Sequence, residues 1–328
     1  MGARSDAKPL HTFAERARPA TEEQRAAVLA GIGCYAFWGF LPLLFKAASW
    51  AGSSAWEMVA WRTFFAFLSA IVAVALTRGW SRVAQVLRTP KSLGLLALAA
   101  LLIISNWSLF VWAVNAGHTL DASLGYYLNP LMSVAAGMAL FRERIGRAGW
   151  IAIALAAIGV AVQTLAQGGL PLAALGMATT FCLYGILKKQ IAVDAVTGLF
   201  FECAVLAGPA LACGLWLQST GQGHMDRPLA AGLLALAGPA TVAPLVTFAW
   251  AARRMPLSSL GFIQFISPTT QFILAVAFGE PLPALSLLAF AFIWSGVGVY
   301  AVTAWRKTRG VAAPSVRFAD SSPRGGAS

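Results

Sequence analysis

Long apolar runs are the feature that most constrains how this chain can fold. They recur through most of its 328 residues, and each is roughly 20 residues long, about what a helix needs to cross the hydrocarbon core of a bilayer. Hydrophobic residues make up 59% of the chain and charged residues only 11%, a balance outside that of soluble globular domains. The sequence therefore predicts an all-α polytopic membrane protein and excludes a soluble one.

Ten such runs can be placed, and the connections between them are too short to hold a soluble domain. The predicted spans are 26–48, 56–77, 92–115, 119–141, 148–167, 171–188, 194–217, 229–252, 257–278 and 285–305. The chain then divides into an N-terminal tail (1–25), two five-helix halves (26–167 and 168–305) and a C-terminal tail (306–328). The Gly, Ser, Pro and Ala content of the last segment predicts disorder.

The distribution of Lys and Arg predicts the orientation of these spans. Nearly all of the 24 cationic residues fall in the two tails and in alternate connections, on one side of the ten-span arrangement. Cationic connections are retained in the cytoplasm, so both termini are expected to be cytoplasmic. This distribution accounts for the net charge of +12 without a nucleic-acid partner.

The chain also contains an internal repeat. The stretch GLLALAALLIISNWSLFVWA (94–113) resembles GLLALAGPATVAPLVTFAWA (232–251), and an SLG triplet follows each copy, at 123–125 and 259–261. Spans 3–5 therefore correspond to spans 8–10, and an odd number of spans in each half places the halves in opposite orientations. Inverted repeats of this kind are typical of secondary transporters.

Three longer stretches resemble the RarD family of EamA-type transporters, in the drug/metabolite transporter superfamily. They are NWSLFVWAVNAGHTLDASLGYYLNPL (106–131), DAVTGLFFE (194–202) and PLSSLGFIQFISPTTQFILAVAFGEPL (256–282). The resemblance implies a ten-helix transporter of the bacterial inner membrane with an inverted repeat. Two positions depart from the family pattern, because Trp61 stands where a His is common and Cys203 where a Thr is common.

Arg62 and Glu202 are ionisable residues within predicted spans, where a charge is costly and usually functional. They occupy comparable positions in spans 2 and 7, which are repeat partners. We expect both to face a central cavity, where Arg62 would attract anionic groups of a substrate and Glu202 would serve as a proton or cation site. The alternative is that each side chain belongs to a structural hydrogen-bond network between helices.

Other polar and proline residues are candidates for the same cavity. Asn106, Trp112, Tyr126, Gln264 and Gln271 could supply hydrogen bonds and stacking surface, although packing between helices is the alternative for each. Helix breaks are predicted at repeat-related prolines, which are Pro130, Pro239, Pro244 and Pro268.

Lys46 and Glu57 flank the short connection between spans 1 and 2. We expect them to pair with each other or to reach the membrane interface, with a gating role as the alternative. His224 is expected to face solvent without a role.

The sequence contains no constellation of an enzyme and no motif for a cofactor or metal. It predicts a secondary active transporter, an exporter or exchanger of a small organic metabolite or drug-like compound, in the cytoplasmic membrane. The alternatives are an uptake permease for amino acids or similar metabolites, and a non-transporting membrane protein such as a regulatory subunit or lipid scramblase. The substrate, the direction, the coupling ion (protons being one candidate) and the oligomeric state, a homodimer included, stay open.

Overall fold

The computed structural model of this chain describes residues 22–115, 119–166, 172–278 and 284–310. These ranges contain twelve helices and no strand. The helices are α1 (Glu22–Trp50), α2 (Ala55–Leu76), α3 (Trp80–Leu87), α4 (Pro90–Asn115), α5 (Thr119–Phe141), α6 (Arg147–Ala166), α7 (Leu172–Gln190), α8 (Ala195–Ser219), α9 (Pro228–Ala252), α10 (Leu257–Gln264), α11 (Ile266–Ala277) and α12 (Ala284–Gly310).

The length and composition of these helices agree with a polytopic membrane protein. Within the described residues, six helices are long and apolar enough to cross a membrane: α1, α2, α4, α6, α8 and α9. Many of their large apolar side chains point outward, as those of Leu76 and Leu165 do with 80% of their surface exposed. Lipid tails can cover such surfaces, whereas water cannot do so without a large cost in free energy.

Two ends of the helical region differ from the predicted boundaries. Helix α1 begins at Glu22, inside the predicted tail 1–25, and α12 continues to Gly310, past the predicted boundary at 305. The first and last helical turns carry charged residues, which a hydropathy pattern assigns to tails although their backbone continues the helix. The rest of the two tails, 1–21 and 311–328, lies outside the described residues.

The cationic connection predicted at 78–91 contains a short helix, α3. Its Val83 and Val86 side chains are buried, while Ser81, Arg82 and Gln85 are exposed. Arg82 on this helix lies 3.7 Å from a carboxylate oxygen of Asp194, in the connection before α8. An amphipathic helix of this length does not span a membrane, so hydropathy alone could not separate it from a loop.

The predicted helix breaks occur at only one of the four prolines. Helix α5 continues through Pro130, and α9 continues through Pro239 and Pro244, so the predicted breaks there are wrong. Each proline removes one backbone N–H, and tight packing on both sides can hold the remaining turns in place. Next to Pro268 the helix does break, because α10 ends at Gln264 and α11 begins at Ile266.

The two halves of the chain pack mainly against each other rather than within themselves. Helices α1 and α2 lie on α9, α2 also lies on α8, and α4 and α5 lie on α7. Helices α6 and α12 form a separate close pair, in which a Cβ at Gly159 would stand 2.6 Å from the carbonyl oxygen of Ala289. A Cβ at Gly296 would stand at the same distance, 2.6 Å, from the carbonyl oxygen of Ala152. Neither position can hold a larger residue without separating the helices.

Helices α2 and α8 begin in the same way. The Ser54 hydroxyl accepts the backbone N–H of Glu57 at 3.2 Å, and the Asp194 carboxylate accepts that of Thr197 at 3.1 Å. Both capping residues are extended, as is usual for residues that satisfy the first N–H groups of a helix. Arg62 and Glu202 each follow eight residues after their cap, so the backbone places them at the same depth along their helices.

Candidate functional site

An internal cavity of about 340 Å³ lies between helices of the two halves. Its walls come from the second half of α1 and α4, the first part of α2 and α5, and the middle of α7, α9 and α10–α11. In an antiparallel bundle, these segments all lie in the middle or toward the end marked by the turn at 51–54. The cavity therefore occupies one end of the bundle and stops near its centre. Its size is that of a small-molecule site.

Aromatic side chains contribute a large part of the cavity wall. Seven of them line it: Tyr35, Trp38, Phe45, Trp107, Phe110, Tyr126 and Phe181. Among the polar residues of the wall, Gln264 donates to the Tyr35 hydroxyl at 2.8 Å, and Gln271 donates to the Ser267 hydroxyl at 3.3 Å. Asn106 donates to the carbonyl of Met177 at 2.7 Å. Apolar walls with a few fixed polar groups are the usual design of a site for an organic ligand.

Arg62 is the cationic residue of this wall, and only 7% of its surface is exposed. The central carbon of its guanidinium lies 3.7 Å from the ring centre of Trp107 and 5.3 Å from that of Phe45. Its Nε has no hydrogen-bond partner, and among the acidic side chains that the structure describes, which do not include that of Asp121, none forms an ion pair with it. A buried guanidinium with an Nε that lacks a partner is an incomplete arrangement, since buried charges are normally paired.

A cluster of aromatic rings closes the inner end of the cavity. Trp38 and Phe181 belong to the cavity wall, and Tyr184 and Phe248 lie behind them. The rings of Tyr184 and Phe248 stack with their centres 5.9 Å apart. We call these four residues the aromatic floor.

Glu202 lies outside the cavity wall, so the expectation that it faces the cavity together with Arg62 is wrong. Its carboxylate accepts Lys188 Nζ at 2.6 Å and the Tyr184 hydroxyl at 3.1 Å, with only 1% of the residue exposed. The Lys188 side chain, which reaches Glu202 from the last turn of α7, is also buried. The carboxylate is therefore neutralised on the far side of the aromatic floor and does not compensate the charge of Arg62.

Glu143, in the turn between α5 and α6, fastens that turn to the start of α10. Its two carboxylate oxygens accept the backbone N–H groups of Leu257 and Ser258, each at 2.8 Å. Lys189 donates to the same carboxylate at 3.2 Å and to the carbonyl of Met255 at 3.0 Å. Burial alone would raise the pKa of Glu143, but the bonds from Ser258 and Leu257 and the charge of Lys189 hold that pKa below its usual value.

Glu57 pairs with His224 rather than with Lys46. The fully buried Glu57 carboxylate accepts the backbone N–H of His224 at 2.5 Å and lies 2.9 Å from its Nδ1. This contact joins α2 to the connection between α8 and α9, so the expectation of an idle, solvent-facing His224 is wrong as well. The ammonium of Lys46 lies 3.9 Å from the ring centre of Phe278 and 5.6 Å from that of Trp50.

Comparison with known proteins gives the chain a family. The model of the EamA-like transporter family matches residues 25–165. Protein RarD of Escherichia coli (strain K12) is 39% identical over 286 residues, which cover 86% of this chain and 96% of that protein. An uncharacterized transporter of Vibrio cholerae is 41% identical over 287 residues, which cover 87% of this chain and 94% of that protein. The chain belongs to the RarD family.

RarD proteins are EamA-type members of the drug/metabolite transporter superfamily, so the resemblance found in the sequence is confirmed and the chain is a multi-pass bacterial membrane protein. A solved crystal structure shares the fold with a TM-score of 0.65 at 21% sequence identity, and the match covers 86% of this chain and 98% of that one. At that identity the likeness concerns the fold alone.

The residues predicted for the site of this RarD-family chain fall into two groups. Five of them line the cavity: Arg62, Asn106, Tyr126, Gln264 and Gln271. Glu202 and Trp112 lie outside its wall, and Trp112 is 51% exposed. Pro268 also lines the cavity, beside the break between α10 and α11.

Sequence reasoning missed the partners of the charged residues. A usable signal existed for Lys188, since it lies in the last turn of α7 and only a short connection separates α7 from α8, which carries Glu202. For His224 no such signal existed, because its partner is 167 residues away in the chain.

Proposed function

We propose that this chain is a secondary active transporter that exports or exchanges a small organic compound across the bacterial cytoplasmic membrane. The carrying observation is the internal cavity, which both halves of the chain form and which is lined by a buried Arg62 whose Nε has no hydrogen-bond partner. Ten spans form two inverted halves of five, α10 and α11 make up one broken span, and both termini are cytoplasmic.

Two symmetric details support the inverted halves. The contacts of Gly159 with Ala289 and of Gly296 with Ala152 exchange under one sequence offset, because 152 and 159 map onto 289 and 296. The caps of α2 and α8 are equivalent in conformation and in the hydrogen bond that they accept. The matched family region, 25–165, also coincides closely with the first proposed half.

The position of the cavity supports alternating access. The cavity fills one end of the bundle, and the aromatic floor, the Lys188–Glu202 pair and the bonds of Glu143 close the other. We infer an outward-facing state from the orientation that the cationic connections predict. Rocking of one half against the other would then open the cytoplasmic end.

The rival classes predict other features. A lipid scramblase needs a polar groove on its lipid-facing surface, whereas the polar groups of this cavity are enclosed by helices of both halves. An uptake permease would use the same cavity, so it differs from an exporter only in the direction of net flux.

Flux into proteoliposomes under imposed pH and ion gradients tests the proposal, with candidate compounds chosen by metabolite profiling of cells with and without the protein. Val59→Trp places a bulky ring in the cavity wall and should abolish gradient-dependent flux. Val72→Trp is the matched control, because Val72 lies on the same helix but is 55% exposed on the outer surface. Absence of flux for every compound, or equal flux in both variants, would contradict transport through the cavity.

Glu202 is the candidate for coupling to protons. Its pairing with Lys188 and Tyr184 is a buried arrangement that gain of a proton would disrupt. If Glu202 carries the coupling proton, Glu202→Gln should abolish the response of flux to a pH gradient. A flux with the wild-type rate and pH dependence would remove this role.

A further inference from the structure

We propose that the cavity selects a monovalent organic anion with a flat, apolar body, and that Arg62 binds its acid group. This inference rests on the proposed function, since it treats the cavity as the substrate site. It adds the charge, the number of acidic groups and the shape of the compound.

The charge follows from the groups around the cavity. Among the lining residues whose side chains the structure describes, Arg62 is the one ionised side chain at neutral pH, and none is an Asp or Glu. Two acidic residues in the first half of α2 and α8 are engaged elsewhere, Glu57 with His224 and Glu202 with Lys188. A buried cation without a counter-charge destabilises the empty site, and an anionic ligand removes that cost.

The number of acidic groups on the ligand follows from the single cation of the described lining. One guanidinium can match the two oxygens of one carboxylate through parallel N–H donors. The face of the Arg62 guanidinium lies on Trp107, and its Nε is without a partner, so N–H donors remain available at its edge. A second acidic group would meet aromatic and amide side chains and no further cation. A dianion would therefore bury one charge unpaired.

The shape follows from the walls. Trp38, Phe110 and Phe181 present ring surfaces, and the cavity volume of about 340 Å³ leaves room for one ring system with a short side chain. Burial of a flat apolar body against these rings adds favourable transfer free energy and stacking. A small inorganic anion would leave these surfaces unfilled.

Binding of three compounds of one shape tests the charge. Cinnamate, cinnamamide and cinnamylamine share a flat phenylpropenyl body and carry charges of −1, 0 and +1 at neutral pH. Equilibrium dialysis against the detergent-solubilised full chain should give cinnamate an affinity about 10- to 100-fold above that of the amide, the range expected for one charge-assisted interaction. The amine should bind least. Equal or tighter binding of the amide or the amine would overturn the proposal, as would a lack of binding by all three.

A substitution that leaves Arg62 in place tests its role. Met58 lines the cavity four residues before Arg62 on α2, so the side chain of Met58→Glu can pair with Arg62 from within the helix. Met58→Gln has the same shape without the charge. We expect cinnamate to bind Met58→Glu at least tenfold more weakly than Met58→Gln, while the amide should not distinguish the two variants. Equal affinities of cinnamate for both would overturn the proposal.

Two further measurements, chloride competition and flux, test whether the site binds organic rather than inorganic anions and whether the anion site and transport stand or fail separately. Chloride in excess should leave cinnamate binding within a fewfold of its value, and full displacement would assign an inorganic anion site instead. If cinnamate binds with the expected dependence but no compound shows flux under any gradient, the transport function fails and the anion site stands. If flux is found and follows a neutral or cationic compound, transport stands and the anion inference fails.

Discussion

Removal of the Glu143 carboxylate should open the end of the bundle that the aromatic floor closes. Glu143 joins the turn after α5, in the first half of the chain, to the start of α10, in the second half. In a transporter that exposes its site alternately, such a contact exists only while this end is closed. Glu143→Ala therefore changes the balance between the two states rather than the cavity itself.

The magnitude follows from the two backbone hydrogen bonds to Leu257 and Ser258. Each bond to a charged group contributes about 1.5 kcal/mol at the low end of its range, which applies here because 13% of the carboxylate side chain is exposed to solvent. Loss of both costs the closed state about 3 kcal/mol, or about a 100-fold change in the equilibrium. Glu143→Gln keeps one acceptor oxygen and should cost about half as much.

The buried cysteines of the chain report the opening. Cys34, Cys182 and Cys203 are buried, whereas Cys213 is exposed and should be replaced by Ser. Alkylation by N-ethylmaleimide, followed over time by peptide mass spectrometry, should be faster in Glu143→Ala at one or more of the three sites. The increase in the alkylation rate should approach the shift in the equilibrium between the closed and open states. Glu143→Gln should give an intermediate alkylation rate.

A second acidic residue at the same end of the bundle provides the matched control. Glu23 accepts Arg254 Nε at 2.8 Å, but 66% of its side chain is exposed, and exposed ion pairs contribute about 0–1 kcal/mol. Glu23→Ala should therefore leave the alkylation rates near those of the wild type. If Glu143→Ala were alkylated no faster than Glu23→Ala at any of the three cysteines, the closing role of Glu143 would be refuted.

Three further outcomes follow from the charged contacts. Glu202→Gln leaves the ammonium of Lys188 buried without a counter-charge and should destabilise the fold by about 3–5 kcal/mol. The loss should appear as a lower temperature at which monodisperse protein is lost in detergent. The double variant with Lys188→Met should restore most of the stability. The pKa of the Glu143 carboxyl is lowered from 4.5 in the folded chain. The stability that the ionised carboxylate contributes should therefore be complete above about pH 5 and disappear as the pH falls through the lowered folded pKa. In Glu143→Gln, thermal stability should no longer show this dependence on pH. His224→Ala removes one partner of the buried Glu57 and should lower the stability by about 1–3 kcal/mol. His224→Asn should recover part of that stability. Equal stability of the two variants would exclude a hydrogen-bonding role for the His224 ring.

Hydropathy predicted most of the helices because their apolar runs are set by the thickness of the bilayer. It could not predict α3, whose burial depends on Val83 and Val86 and not on a long apolar run. The prolines were misleading for a related reason. A proline removes one N–H wherever it occurs, but whether the helix then breaks depends on its surroundings, and α9 continues through the exposed Pro239 and the buried Pro244 alike.

Part of the site was likewise visible in the sequence. An arginine within a span has few ways to avoid lipid, so Arg62 could be assigned to the interior from its position alone. The same reasoning correctly placed Glu202 in the interior, but it could not identify the partner of Glu202. Lys188 reaches Glu202 from α7 through a contact that only the tertiary packing specifies.

The equivalence of the two halves makes the different surroundings of Arg62 and Glu202 informative. Equivalent caps, Ser54 and Asp194, fix the start of α2 and α8, so Arg62 and Glu202 reach the same depth by the same backbone geometry. A symmetric scaffold would give each charge the same surroundings, yet Glu202 has a cation within 2.6 Å, whereas no acidic residue with a described side chain pairs with Arg62. The asymmetry therefore arises from side chains and not from the fold. Since a buried cation without a counter-charge is costly, the counter-charge for Arg62 is best supplied by a ligand that enters the open end of the cavity.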